Sequence, residues 1–167
     1  TVDFYSDGDL TVAANSVAVS GGIDANAGNV QFDVAGNVAF DGMTVTGTGT
    51  TNLNAGGAVV SNATVQNNAG DMEIVAGGDV TVDGALANNT ASTLSVTGAD
   101  LLITDVMTNS VTGGKILLDV DSWTVSGGTE TSFSVVNKGD FSATVAGETN
   151  LANGISLSEM EADNVFS

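Results

Sequence analysis

The segment Gly70-Asp71-Met72-Glu73-Ile74-Val75-Ala76-Gly77-Gly78-Asp79-Val80-Thr81-Val82 contains one short phrase twice. In each copy a Gly and an Asp precede residues that alternate between apolar and polar. Alternation with a period of two is typical of a half-buried β-strand, and the small residues between the copies are typical of a turn. The phrase returns at Gly8-Asp9-Leu10, Gly28-Asn29-Val30 and Gly139-Asp140-Phe141, which predicts a repeat protein.

The spacing of the phrase predicts how the repeats stack. Its copies start at residues 8, 28, 48, 70, 91, 114 and 139, which sets a repeat of 20 to 25 residues. Several repeats hold a second copy eight residues after the first, and a third apolar segment follows, as at Met43-Thr44-Val45. Such short strands are unstable alone, but stacked coils pair them into parallel sheets around a continuous core. We therefore expect an all-β single domain over residues 1–167, a parallel β-helix (β-solenoid) of about seven coils with three short strands each.

A β-sandwich in two domains is the alternative fold, which the short strand spacing and the 5% aromatic content fit less well. Residues 157–167 are predicted to form a capping segment, and Ser158 to Asp163 is the stretch best suited to a helical turn. Since a β-helix presents open strand edges unless it is capped, we expect either a slice of a longer solenoid or subunits that stack end to end.

The charge of the chain excludes several kinds of partner. Asp and Glu number 20 against two basic residues, Lys115 and Lys138, so the net charge is −18. Nucleic acid and anionic membrane surfaces are bound through Lys and Arg, which argues against both as partners. No apolar run reaches the roughly 18 residues that a transmembrane helix needs. The balance fits a secreted, extracellular protein.

The residue inventory also argues against catalysis. His, Arg and Cys are absent, so a Ser-His-Asp triad and zinc sites of His or Cys are excluded. A carbohydrate-active β-helix enzyme is disfavoured because few basic residues remain for proton abstraction. We predict no enzyme activity and no cofactor, although calcium is possible at the closely spaced carboxylates Asp7 and Asp9, and Asp119 and Asp121. Solvated turn acids are the favoured interpretation of these four residues.

Asn and Thr suggest two further sites, for which structural explanations are favoured. Asn recurs near the end of the third strand, at Asn67, Asn68, Asn88, Asn89, Asn109 and Asn137. We interpret this row as residues that tolerate left-handed turns or stack coil on coil, instead of a binding row. A flat ice-binding Thr ladder is disfavoured, because Thr44 to Thr51 follow one stretch of chain and are out of register across coils.

One outward column differs from the rest of the surface. Our alignment places mostly small or apolar residues on the outside of the second strand in every coil: Ala18, Ala39, Val60, Thr81, Leu102, Thr124 and Asn150. The outward residues of the first strand are mostly polar. A flat apolar sheet face favours packing against another surface, so we predict a lateral contact with another subunit, another domain or a loop of this chain. Scattered surface apolar residues are the alternative interpretation.

Two phrases carry a resemblance to a known family. Ala76-Gly77-Gly78-Asp79-Val80-Thr81-Val82 and Thr97-Gly98-Ala99-Asp100-Leu101-Leu102-Ile103 resemble the repeats of filamentous haemagglutinin-like exoproteins and other large β-helical adhesins of Gram-negative bacteria. The likeness in pattern runs from about Gly8 to Leu157. It implies a right-handed β-helix, export across the outer membrane, and adhesive or structural work at the cell surface, with host glycans or proteins, or neighbouring solenoid coils, as partners. A self-assembling subunit of a filament, sheath or surface layer is the alternative function.

Overall fold

The chain winds into a solenoid of parallel β-strands. The computed structural model describes residues 4–26, 28–127, 134–157 and 164–166, and every regular element in these ranges is a strand. Each coil contributes strands to three faces, which we call the first, second and third sheets after their order within a coil. All the described strand pairs are parallel. The predicted β-solenoid of about seven coils is thus confirmed, and the β-sandwich alternative, which needs antiparallel sheets, is wrong.

The three sheets can be followed strand by strand. The first sheet contains β2 (Leu10–Ala14), β5 (Val30–Val34), β8 (Thr51–Ala55), β11 (Met72–Ala76), the first parts of β14 (Thr93–Ile103) and β16 (Lys115–Val125), then β18 (Asp140–Val145) and β21 (Asn164–Phe166). The second sheet contains β3 (Val17–Ala18), β6 (Val38–Phe40), β9 (Val59–Ser61), β12 (Val80–Val82), the last parts of β14 and β16, and β19 (Thr149–Leu151). The third sheet contains β1 (Phe4–Ser6), β4 (Ile23–Ala25), β7 (Met43–Val45), β10 (Val65–Asn67), β13 (Leu86–Asn88), β15 (Met107–Asn109), β17 (Val135–Asn137) and β20 (Ile155–Leu157).

The fifth and sixth coils depart from the predicted three short strands. In each, the first and second strands merge into one strand of 11 residues, β14 and β16. These two strands pair along nearly their whole length, from Thr93 opposite Lys115 to Ile103 opposite Val125. Because β14 and β16 each run through both sheets, the first and second sheets are continuous in the fifth and sixth coils.

The starts of two coils were wrong by one residue. Gly49, and not residue 48, stacks on Gly28, and Gly70 stacks on Gly49. A Cβ on Gly49 would lie 1.9 Å from the carbonyl oxygen of Gly28, so this position accepts only Gly. Met72 pairs with Leu94, which moves the fifth start from residue 91 to residue 92. The coils still span 20 to 25 residues, as Leu10 pairs with Val30 and Ile116 with Phe141.

The interior is the continuous apolar core that the alternation predicts. The inward first-strand residues are buried or packed against the core: Leu10, Val12, Val30, Phe32, Met72, Ile74, Leu94, Val96, Ile116 and Leu118. Aliphatic side chains dominate, yet four aromatic ones are fully buried among them, and the rings of Trp123 and Phe141 stack with centroids 5.5 Å apart. Burial of this kind contributes about 25 cal/mol per Å² of apolar surface, so the stacked core is the main source of stability.

The two ends of the described chain add strands to the sheets. Phe4–Ser6 pairs with β4 in the third sheet. Asn164–Phe166 pairs with β18 in the first sheet. The helical turn predicted for Ser158 to Asp163 lies outside the described residues. Among the described residues there is no helix long and apolar enough to cross a membrane.

Candidate interaction face

The strand register places all seven residues of the predicted face in one column. Ala18 pairs with Ala39, and Ala39 with Val60; Thr81 pairs with both Val60 and Leu102. Thr124 then pairs with Leu102 and with Asn150. We call this set the second-sheet column. Since neighbouring strands lie about 4.8 Å apart, the column forms a continuous uncharged stripe along the solenoid.

Leu102 is the exposed large apolar side chain of the second-sheet column. Leu102 is 36% exposed, while Val60, Thr81 and Thr124 are half-buried between their neighbours. The other large exposed apolar side chain of the described residues is Leu117, 42% exposed on the first sheet. Leu117 lies in register with Ser95 and Ser142, in a mostly polar column. The two leucines are therefore side chains of similar accessibility, one in an uncharged column and one in a mostly polar column.

The corners on either side of the second sheet carry the acids that its outward column lacks. The leading corner, before each second strand, contains Asn37, Ala58, Asp79, Asp100, Ser122 and Glu148. The trailing corner, after each second strand, contains Asp41, Asn62, Asp83, Thr104 and Ser126. Asp79, Asp83 and Asp100 are exposed, as is Asp105 beside Thr104. Carboxylates thus flank the second-sheet column on both sides in the fourth and fifth coils.

Hydrogen bonds to the next coil fix these corner acids. Oδ1 of Asp79 accepts from the backbone N–H of Asp100 at 3.3 Å, and Oδ1 of Asp100 accepts from the Ser122 hydroxyl at 2.7 Å. At the trailing corner, Oδ1 of Asp83 accepts from the Thr104 hydroxyl at 2.8 Å. An Asn side chain makes an equivalent hydrogen bond to the next coil, since Oδ1 of Asn37 accepts from the N–H of Ala58 at 3.0 Å. The Asp or Asn of the repeated phrase therefore joins successive coils.

The alignment identified the column but missed its acidic borders. Asp79 and Asp100 were assigned only to the repeated phrases, and Asp83 and Asp105 only to the general negative charge of the chain. The signal was present in the sequence, because Asp79 and Asp83 lie two residues on either side of Thr81. These residues form a site only when the coils stack. Asp79, Asp100 and Leu102 then line a surface depression of about 300 Å³.

The four calcium candidates are not brought together. Asp7 and Asp9 lie before β2 in the first coil, whereas Asp119 and Asp121 lie on β16 in the sixth. Oδ1 of Asp7 accepts from the side-chain amide of Asn26 at 2.9 Å, and Oδ1 of Asp9 accepts from the N–H of Asn29 at 2.7 Å. Asp119 and Asp121 are exposed. No group of three or more potential metal-ligating side chains occurs in the described part of the chain, and calcium binding stays a prediction.

The predicted stacking of Asn is confirmed, and four of the six residues in the row lie in the core. Asn67, Asn88, Asn109 and Asn137 are buried, and each side-chain amide N–H donates to the Oδ1 of the next residue in that order, at 3.1, 3.3 and 2.7 Å. We call these four residues the inner ladder. The amide of Asn89 donates to Oδ1 of Asn68 at 2.9 Å on the outside. The left-handed explanation is wrong, because no described residue other than Gly has a positive φ.

A second depression lies at the corner between the second and third sheets of the early coils. It has a volume of about 540 Å³ and is lined in part by Asp24, Asp41, Gly42 and Thr64. Only two residues, Asp41 and Gly42, connect β6 to β7, whereas three connect β9 to β10. Gly42 makes this shorter turn with a φ of 93°. The depression is thus explained by the difference in turn length.

Comparisons with protein-family models, with curated proteins and with solved structures gave no match.

Proposed function

We propose that the protein is a non-catalytic, extracellular structural or adhesive β-solenoid that acts through its second sheet, as a segment of a bacterial surface adhesin. The observation that carries this proposal is the second-sheet column. It presents seven rungs in register with no charged side chain, on a chain whose net charge is −18. A continuous uncharged stripe with an exposed leucine is the part of this surface best suited to close contact with another molecule.

The chemistry of the side chains supports a role without catalysis. The chain has no His, Arg or Cys, so it lacks the usual general base near neutral pH, a thiol nucleophile, and the His that would activate a Ser hydroxyl. Several of its acids have an architectural role, as Asp9, Asp71 and Asp79 each accept the backbone N–H of a residue in the next coil. The repeated acids thus have a structural reason that requires no reaction.

The location and the kind of protein are proposed from the resemblance of the repeats. In the phrases that resemble exoprotein repeats, Asp79 and Asp100 occupy the same place, the leading corner before a second strand. A repeat that places one acceptor at each coil boundary can be lengthened coil by coil, since each coil contacts only its neighbours. Such an architecture suits a long rod on a cell surface, because the rod can present its contact face away from the cell.

The first test measures adhesion with two matched variants. Fluorescent beads coated with the protein, with Leu102→Asp or with Leu117→Asp are settled on cultured epithelial monolayers, and retained beads are counted after washing. We expect beads with the unchanged protein to adhere and Leu102→Asp to reduce their number about tenfold, because a charge replaces the exposed large apolar side chain of the column. Leu117→Asp adds the same charge on the first sheet and should retain adhesion.

Two other outcomes of this assay would contradict either the role of the second sheet or the adhesive role. An equal loss for both variants would show that added negative charge acts generally, without a contribution from the second sheet. Retention of coated beads no greater than that of bare beads would contradict the adhesive role. Electron microscopy of the same preparations, with and without calcium, tests the alternative function: fibres with a fixed axial repeat would favour the self-assembling filament, sheath or surface-layer subunit.

A further inference from the structure

We propose that the second sheet docks a cationic protein segment in which an apolar side chain lies between basic ones. The inference rests on the proposed function of this sheet as the contact face and adds the chemistry of its partner. The apolar side chain would contact Leu102, and the Lys or Arg side chains would reach the carboxylates of the two corners. These lie at the level of the fourth and fifth coils.

The charges of this region are complementary to such a segment. Asp79 and Asp100 lie at the leading corner, and Asp83 and Asp105 lie at the trailing corner, all four exposed. Between them the second-sheet column is uncharged, and Leu102 is its most exposed large apolar side chain. An apolar contact bordered by unsatisfied charge of one sign selects a partner with the opposite sign around an apolar centre.

The chain itself supplies no basic residue to this face. Lys115 lies on the first sheet, with its Nζ 4.0 Å from a carboxylate oxygen of Asp140. Lys138 follows β17 of the third sheet. Neither Lys side chain belongs to the second sheet or its corners, so a cation that pairs with the four carboxylates would come from an external partner.

The corner carboxylates are held in place before a partner arrives. Asp79, Asp83 and Asp100 each use Oδ1 in a hydrogen bond to the next coil, and the described residues supply no hydrogen bond to their Oδ2 atoms. A side chain that is already oriented loses less conformational entropy when it pairs with Lys or Arg. The depression of about 300 Å³ lined by Asp79, Asp100 and Leu102 brings the two kinds of contact into one place.

The test uses a labelled peptide and two matched double variants. Binding of the fluorescein-labelled heptapeptide KKGLGKK is measured by anisotropy at low ionic strength, with KKGSGKK and EEGLGEE as peptide controls. Asp79→Asn with Asp100→Asn removes two corner charges while keeping Oδ1 as an acceptor, as Asn37 does at the same corner. Asp9→Asn with Asp71→Asn removes two charges from the corner before the first sheet, where Asn29 already accepts the N–H of Thr50 at 3.0 Å.

We expect the first double variant to weaken KKGLGKK binding about tenfold and the second about twofold, because only the first removes charges next to the docked peptide. KKGSGKK should bind more weakly than KKGLGKK, and EEGLGEE should not bind. Equal weakening by the two double variants would overturn the inference, since general attraction to an acidic protein would then explain the binding. Equal binding of KKGLGKK and KKGSGKK would overturn it as well.

The outcome can be separated from that of the proposed function. If Leu102→Asp abolishes bead adhesion while Asp79→Asn with Asp100→Asn changes neither adhesion nor peptide binding, the second sheet is the contact face and its partner is not cationic. A neutral glycan would then be the partner to examine. If neither set of variants changes adhesion, both the proposed face and the cationic partner are wrong.

Discussion

The inner ladder gives the sharpest test of what holds the coils in register, through the substitution Asn88→Ala. Oδ1 of Asn88 accepts from the amide of Asn67, and its own amide donates to Oδ1 of Asn109. Among the described residues these are the bonds that satisfy Nδ2 of Asn67 and Oδ1 of Asn109. Removing Asn88 therefore leaves one donor and one acceptor buried without partners. At about 1 to 3 kcal/mol for each orphaned polar atom, the free energy of unfolding should fall by about 4 kcal/mol.

The adjacent residue is a control within the same coil. Asn89 donates to Asn68 at 2.9 Å and accepts from the Ser110 hydroxyl at 2.8 Å, so it makes the same kind of ladder in an exposed position. Water can replace these partners when Asn89 is changed to Ala. We expect Asn89→Ala to lower the free energy of unfolding by less than about 1 kcal/mol.

Urea unfolding of both variants and the unchanged protein measures the difference. The single Trp123 is fully buried in the core, so its fluorescence reports loss of the coil stack, and far-ultraviolet circular dichroism reports loss of the strands. The midpoints give the change in free energy if the slopes agree. A cost for Asn88→Ala within about 0.5 kcal/mol of that for Asn89→Ala would refute the reasoning, because burial would then add nothing to the ladder.

Two further substitutions test the stacking of the coils by the same urea assay. Gly49→Ala should lower the free energy of unfolding by about 3 kcal/mol, since its Cβ would lie 1.9 Å from a carbonyl oxygen of the preceding coil. Gly8→Ala is the control and should be nearly neutral, because no atom lies within 4 Å of its Cβ. Similar losses of stability in the two variants would contradict the proposed stacking. Val45→Thr places a hydroxyl in register with Asn67, whose buried Oδ1 has no partner among the described residues, so it should cost less than about 0.5 kcal/mol. Val65→Thr, at a buried apolar position of the third sheet, should cost about 1 to 2 kcal/mol, and equal costs would argue against a bond to Asn67.

The sequence was a good guide wherever a residue's role depends on its own coil. Alternation with a period of two assigned inward residues such as Phe32 and Ile74 correctly, because a strand turns successive side chains to opposite faces. The same alternation placed Leu102 outward and aligned it with its neighbours in adjacent coils. The two errors in coil starts arose at residues 48 and 91, where the phrase is degenerate and only contact with the next coil selects between adjacent residues.

What the sequence by itself determined was the repeat, its length and the side of each strand that faces the core, since all three depend on local periodicity. What only the tertiary structure decided depends on residues about 21 positions apart meeting through the stacking of coils. Stacking buried Asn67, Asn88, Asn109 and Asn137 as a polar ladder inside an apolar core, a position that a polar side chain does not reveal from sequence. It also placed exposed carboxylates on both sides of an uncharged stripe, because corners and faces exist only once the coils lie on one another.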